Sequence, residues 1–296
     1  MSTGGLPENA VVWWLGLGQM GAALSARAAK GAHVVGIDPR GSVGKACPFE
    51  TVRSLQDLDA TQPAPWAVVL CLPTPDAYLS SVRELAISPR LESTAAIINL
   101  STVGIEAAAQ AEALLATDKP DLDYVESLVT GGVCRATAGD VTLLVGSRKP
   151  LSQGVEALLQ RLASRLHILD SIREAGIAKL VNNLAMLGIA SVTVEAIDLG
   201  IKSGLDRETV FRVLRDGTGA SYILNNSLTR SLIDGDFRTG FAARLALKDI
   251  GLAVHIAKQV SCDTPHADIV CGELLRAVTV GQPDETFARI ATVRGL

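Results

Sequence analysis

The segment 11-VVWWLGLGQMG-21 is the most informative in this 296-residue chain. Five apolar residues, Val11–Leu15, run into Gly16-Leu17-Gly18-Gln19-Met20-Gly21, and an alanine-rich stretch follows. An apolar strand that closes on turn glycines and opens into a helix is the context of the G-x-G-x-x-G fingerprint. Its glycines meet three needs: a tight turn, close approach of the backbone to a pyrophosphate, and close helix–strand packing. The N–H groups of the helix's first turn then face the phosphates. Asp38 ends the next apolar run, 33-HVVGID-38, about twenty residues on, as the fingerprint requires. Its carboxylate suits a ribose 2′-hydroxyl and repels a 2′-phosphate, which favours NAD. Arg40 leaves NADP open, although a solvated surface arginine is the simpler reading of it.

Working outward, 10–16, 33–38, 66–72, 95–100, 123–129 and 141–146 read as strands, and 18–30, 76–87 and 103–117 as helices. Such alternation implies a mainly parallel sheet with helices on both faces. Beyond about residue 170 the strand signal disappears. Residues 174–203 read as one long helix capped by Gly204, followed by helices over 206–215, 242–259 and 265–280. The expected division is therefore an α/β domain, 1–170, and an all-α domain, 171–296.

Ligands in such sheets lie at the carboxyl ends of the strands. Two later strand ends, 71-CLPTP-75 and 100-LSTVG-104, place Leu72, Pro73 and Thr102 as candidate lining of the nicotinamide side. The plainer alternative is that Pro73 and Pro75 break a strand and Ser101 caps a helix.

Composition narrows the class. Hydrophobic residues make up 48% and charged residues 20%, as in a folded globular chain, and a net charge of −4 without a basic stripe argues against nucleic acid. Five scattered cysteines without a C-x-x-C pair argue against zinc or a disulfide framework and fit a reducing, cytoplasmic setting, with no metal expected. The N-terminus lacks the basic region of a signal peptide. The most apolar window, 184–194, is too short to span a bilayer, so no membrane is expected.

Two further segments carry chemistry. In 129-VTGGVCRATAGD-140, consecutive glycines after Thr130 can aim several backbone N–H groups at one spot, a cradle for a carboxylate; a hairpin loop is the alternative. In 175-AGIAKLVNNL-184, Lys179 and Asn183 stand i and i+4 on one helical face, at the expected junction of the two halves, where pockets concentrate. A lysine there can exchange a proton with a substrate hydroxyl while hydride moves to or from nicotinamide. The alternative is a lysine whose stem lies on the helix while its ammonium reaches solvent.

The motifs GLGQMG, LSTVG, ESLVTGGVCRATAG, KLVNN and LKDIGLA occur in an order that resembles the β-hydroxyacid dehydrogenases. That family belongs to the 6-phosphogluconate dehydrogenase superfamily and includes 3-hydroxyisobutyrate dehydrogenase and tartronate semialdehyde reductase. The resemblance, from about 11 to about 280, implies a Rossmann-type doubly wound sheet, a long connecting helix and an all-α domain that often builds a homodimer or homotetramer. It implies that Thr130, Gly131 and Gly132 bind a substrate carboxylate, Lys179 is the proton donor and acceptor, Asn183 is its helper, and Lys248 lies near nicotinamide or substrate. The expected activity is hydride transfer between NAD(P) and a small 3-hydroxy acid or its semialdehyde. Related alternatives are an imine reductase, against which Lys179 argues, and a nucleotide-binding module without turnover.

The chain departs from the family pattern in three places. Glu126-Ser127-Leu128-Val129-Thr130 stands where Asp-Ala-Pro-Val-Ser is usual. Arg135 stands where many members have glycine, as in the branch acting on four-carbon sugar acids such as threonate. Arg173 and Glu174 replace closely spaced glycines before the lysine.

Overall fold

The computed structural model describes residues 5–41, 47–58 and 62–296. By its internal contacts the chain divides into two units, Met1–Lys179 and Leu180–Leu296, so the division falls inside the long helix.

The first unit is built on an eight-stranded sheet: β1 (Val11–Leu15), β2 (His33–Ile37), β3 (Thr51–Val52), β4 (Ala67–Leu70), β5 (Ala96–Asn99), β6 (Asp123–Thr130), β7 (Thr142–Ser147) and β8 (Arg165–Leu169), in the order β3-β2-β1-β4-β5-β6-β7-β8. Neighbours are parallel except β6 and β7, which run antiparallel. The chain leaves β1 toward one edge and resumes at β4 on the other side, making the switch point at which such sheets bind ligands.

The helices of this unit are α1 (Gln19–Ala28), α2 (Pro75–Ala86), α3 (Ile105–Asp118), α4 (Gly132–Ala138) and α5 (Gln153–Leu162). Strand side chains alternate between two cores. Val12 and Trp14 pack with Leu24 and Ala28 of α1 and Leu158 of α5, whereas Trp13 and Leu15 pack with Tyr78 and Val82 of α2 and Leu115 of α3. Burial on both faces explains why the central strands are almost continuously apolar.

Two strands escape the pattern read from sequence. β3 is only two residues long, and β8 carries exposed Arg165 and His167 on an edge strand, which hides its periodicity. The Gly-Gly segment also differs from a plain hairpin loop, since Gly131 and Gly132 lead directly into α4.

α6 (Ile172–Lys202) starts in the first unit and continues into the second. Ser171 Oγ accepts from the Glu174 N–H at 3.2 Å, and Glu174 Oε2 accepts from the Asp170 N–H at 3.1 Å. This is a close variant of a capping box and gives Glu174 a local role at the start of α6. At the other end Gly204, φ +98°, follows the last turn, and its N–H bonds to the Ile201 carbonyl.

The second unit adds α7 (Arg207–Asp216), α8 (Thr229–Leu232), α9 (Ala243–Gln259) and α10 (Pro265–Val280), with a π-helical turn, Leu224–Leu228, before α8. Asp206 caps α7 by accepting from the Thr209 N–H at 2.9 Å. Leu187, Ala190, Val194 and Ile197 of α6 join Phe211, Ile250 and Leu274 in its core.

One expectation needs correcting here. α6 is long and apolar enough to cross a bilayer by length and composition, with a mean hydropathy of 1.7 over its best window. The short apolar window read from sequence missed this because scattered polar residues divide a helix that is apolar on average. Its buried face makes α6 a core helix of the second unit.

Candidate active site

At the β1–α1 turn the fingerprint has the expected geometry. Gly16 has φ +92°, and a Cβ on Gly21 would collide with the Gly16 carbonyl oxygen, so the close approach of helix and strand requires glycine. Gly18 is the N-cap of α1 and brings no side chain to its first N–H groups. The atom nearest a Cβ placed there is the Arg40 guanidinium at 4.0 Å. An uncapped helix N-terminus with open space above its cap residue fits the pyrophosphate of a dinucleotide. Leu17 completes the turn, and Gln19 and Met20 open α1.

Asp38 is buried and fully engaged. Its carboxylate accepts from the Leu17 N–H at 2.7 Å, the Arg40 N–H at 3.0 Å, and Arg40 Nε and Nη2 at 2.9 and 3.0 Å. Burial raises its pKa, but the Arg40 guanidinium and these N–H donors outweigh that and hold the carboxyl below its ordinary value. Arg40 is 61% exposed yet fastened to Asp38, and so is more than a solvated surface arginine.

The two later loops are joined beside this turn. A Cβ on Gly16 would strike the Cys71 carbonyl, and the Leu72 N–H bonds to Ser101 Oγ at 2.8 Å. Ser101 thus ties the loops together and caps no helix, because Gly104 is the N-cap of α3. Thr74 caps α2 and Pro75 occupies its first turn, leaving Pro73 exposed and Thr102 half-buried. The Asn99 side chain brackets Ser101, donating to its carbonyl at 3.0 Å and accepting from its N–H at 2.8 Å.

Below these loops lies a polar network that the motif reading missed. Asn99 Nδ2 donates to Glu126 Oε1 at 2.9 Å, Tyr124 donates its hydroxyl to the same oxygen, and Tyr78 bonds to Tyr124. Burial pushes the Glu126 carboxyl up to about 7; the bonds from Tyr124 and Asn99 pull it partly back, and the Glu112 charge raises it further. The available signal was a glutamate in the middle of a strand, 123-DYVESLVT-130.

The Thr130–Gly132 segment and Lys179 also come together. Thr130 ends β6, and Gly131 and Gly132 follow with φ +130° and +79°, backbone that other residues rarely adopt. Lys179 Nζ donates to the Val129 carbonyl at 2.8 Å, next to Thr130. Arg135 turns to Asp140, its Nε 3.1 Å from Oδ2.

In the second unit Asn183, only 1% exposed, donates through Nδ2 to Asp249 Oδ2 at 2.7 Å. Lys248 Nζ lies 2.9 Å from the other oxygen of Asp249. Asp249, absent from the expected set, was present in the Lys-Asp pair of LKDIGLA.

The model of the NAD binding domain of 6-phosphogluconate dehydrogenase matches residues 11–172. The model described as NAD-binding of NADP-dependent 3-hydroxyisobutyrate dehydrogenase matches residues 174–293. The chain belongs to the β-hydroxyacid dehydrogenase family. As a β-hydroxyacid dehydrogenase it is an NAD(P)-linked oxidoreductase.

Among its curated relatives, 2-(hydroxymethyl)glutarate dehydrogenase of Eubacterium barkeri is 31% identical over 144 residues, about half of either chain (49% of this one, 48% of the other). The 3-hydroxyisobutyrate dehydrogenase of Pseudomonas aeruginosa is 26% identical over 85% of this chain and 87% of its own. The solved structure of Mycobacterium tuberculosis 3-hydroxyisobutyrate dehydrogenase with L-serine shares the fold of this β-hydroxyacid dehydrogenase, with a TM-score of 0.77 at 23% identity over 97% of this chain and 100% of that one.

Proposed function

We propose that this enzyme transfers hydride between NAD(P) and a small 3-hydroxy acid or its semialdehyde, with Lys179 as general acid and base. The observation that carries the reading is the 2.8 Å bond from Lys179 Nζ to the Val129 carbonyl, which holds the ammonium beside Thr130–Gly132. Thr130 and the backbone N–H groups after Gly131 hold the substrate carboxylate. Lys179 takes the hydroxyl proton during oxidation and returns it during reduction. Asn183, one turn further along α6 and fixed by Asp249, orients the lysine or the hydroxyl. When bound, NAD(P) supplies the hydride acceptor or donor.

Gly16–Gly21, Asp38, Leu72, Pro73 and Thr102 form the cofactor side. Lys248 is assigned to it on the family resemblance. NAD is the first expectation for an ionised Asp38, and Arg40 is the residue that would admit NADP. The names of the two curated relatives support the substrate class, since 3-hydroxyisobutyrate and 2-(hydroxymethyl)glutarate both carry a hydroxymethyl group beside a carboxylate. Because Asp140 holds the Arg135 guanidinium, a four-carbon sugar acid such as threonate is the lesser reading. A cytoplasmic homodimer or homotetramer fits the scattered cysteines and the apolar side chains that α6 exposes.

The test is nicotinamide absorbance with wild type and Lys179→Ala over a panel of 3-hydroxy acids. The expected result is a loss of turnover by about two or more orders of magnitude with cofactor affinity kept. Equal turnover in both proteins would sink the lysine mechanism.

A further inference from the structure

The Glu126 network has a use that the catalytic assignment leaves open. Glu126 is 1% exposed and lies in β6, four residues before Thr130. From its Oε1, Asn99 leads to both backbone groups of Ser101, and Ser101 Oγ leads on to the Leu72 N–H and, at 3.3 Å, to the Leu70 carbonyl. One buried carboxyl is therefore joined by two side chains to the backbone of both loops beside the dinucleotide turn.

We propose that Glu126 is a positioning residue for the cofactor, setting through Asn99 and Ser101 how firmly the 71–75 and 100–104 loops are held, and that ionised Glu126 holds them best. The proposal rests on the reading that these loops border NAD(P). The ionised carboxylate is the stronger acceptor for Asn99 Nδ2. It polarises the amide and so makes Asn99 Oδ1 the stronger acceptor for the Ser101 N–H, 2.8 Å away.

The surroundings leave Glu126 free to titrate on its own. Tyr124 faces it from the same strand, and Tyr78 joins through Tyr124 from α2. Burial and the Glu126 charge keep both phenols protonated far above neutrality. Glu112 of α3 acts on it as a like charge, β5 offers the neutral Asn99, and β7 places Gly146 opposite. Among the described residues no cation pairs with Glu126. Its carboxyl, pushed up to about 7, would then change charge in the physiological range.

The experiment is NADH affinity from tryptophan fluorescence between pH 6 and pH 8, with thermal melting of each protein alongside. NADH is the probe because it lacks a titrating 2′-phosphate. Wild type should bind about fivefold more weakly at the acid end, a modest coupling of two linked equilibria. Glu126→Gln keeps an acceptor for Tyr124 and Asn99 but cannot ionise, so its affinity should not vary with pH. Asn99→Ala leaves Glu126 titrating but cuts its link to Ser101, and should also flatten the profile. A merely structural role would lower the melting temperature in both variants while leaving the wild-type pH dependence of affinity, and that result overturns the proposal. So does pH-independent binding by wild type. Failure of wild type to bind NADH or NADPH at any pH would overturn the cofactor reading itself, and this proposal with it.

Discussion

Arg40 and Asp38 show how much one residue pair can hold. The Asp38 carboxylate has about four acceptor positions, and the bonds from Leu17 and Arg40 account for that number. A ribose diol reaching Asp38 must therefore displace Arg40, whereas a 2′-phosphate meets a guanidinium already in place. Arg40→Ala should weaken NADP binding about tenfold, the scale of a lost charge-assisted contact, and leave NAD binding unchanged or tighter. Separate fluorescence titrations with NADH and NADPH check this, and equal losses for both would remove Arg40 from cofactor choice. The acid, the glycines and Arg40 were all visible as a spaced motif. The ion pair was not, because it depends on how the chain turns after β2.

At the scale of elements, the start of α6 and the middle of β6 make separate predictions. Glu174→Ala removes the reciprocal arm of the α6 cap and should cost about 1 kcal/mol. That is a fall of a few degrees in melting temperature, with kcat unaffected if the segment serves only the helix. For β6, the Glu126 carboxyl has an ordinary pKa of 4.5 and is raised to about 7 in the fold. The folded state therefore binds more protons than the unfolded state between these values, and stability falls as pH rises through that window. The contribution is present in full below about 4.5, lost above about 7, and on the order of 3 kcal/mol. Glu126→Gln should flatten this limb in urea denaturation at pH 5 and pH 8. An unchanged slope would assign the pH dependence to another group.

For the whole molecule, the telling feature is an α6 that buries one face and leaves Val181, Val192 and Leu199 about 60% exposed or more (59%, 61% and 68%). A long helix with an apolar outer face is a surface that self-association would cover. Val192→Lys together with Leu199→Lys should shift the protein toward monomer in light scattering without unfolding it. A wild type that is already monomeric would end this reading.

Much of the architecture is legible in local pattern. The apolar strands, the fingerprint glycines, the long helix and the Lys179–Asn183 spacing each arise from residues within a few positions of one another. The rest depends on partners brought together from afar. Asn183 finds Asp249 across 66 positions, Lys179 reaches Val129 across 50, and Asn99 meets Glu126 across 27. Propensity and periodicity report which element a residue belongs to and which face it takes. They carry no information on which strand lies next to which, or in what register, and hydrogen bonds of short range and strict direction form only once that order is set.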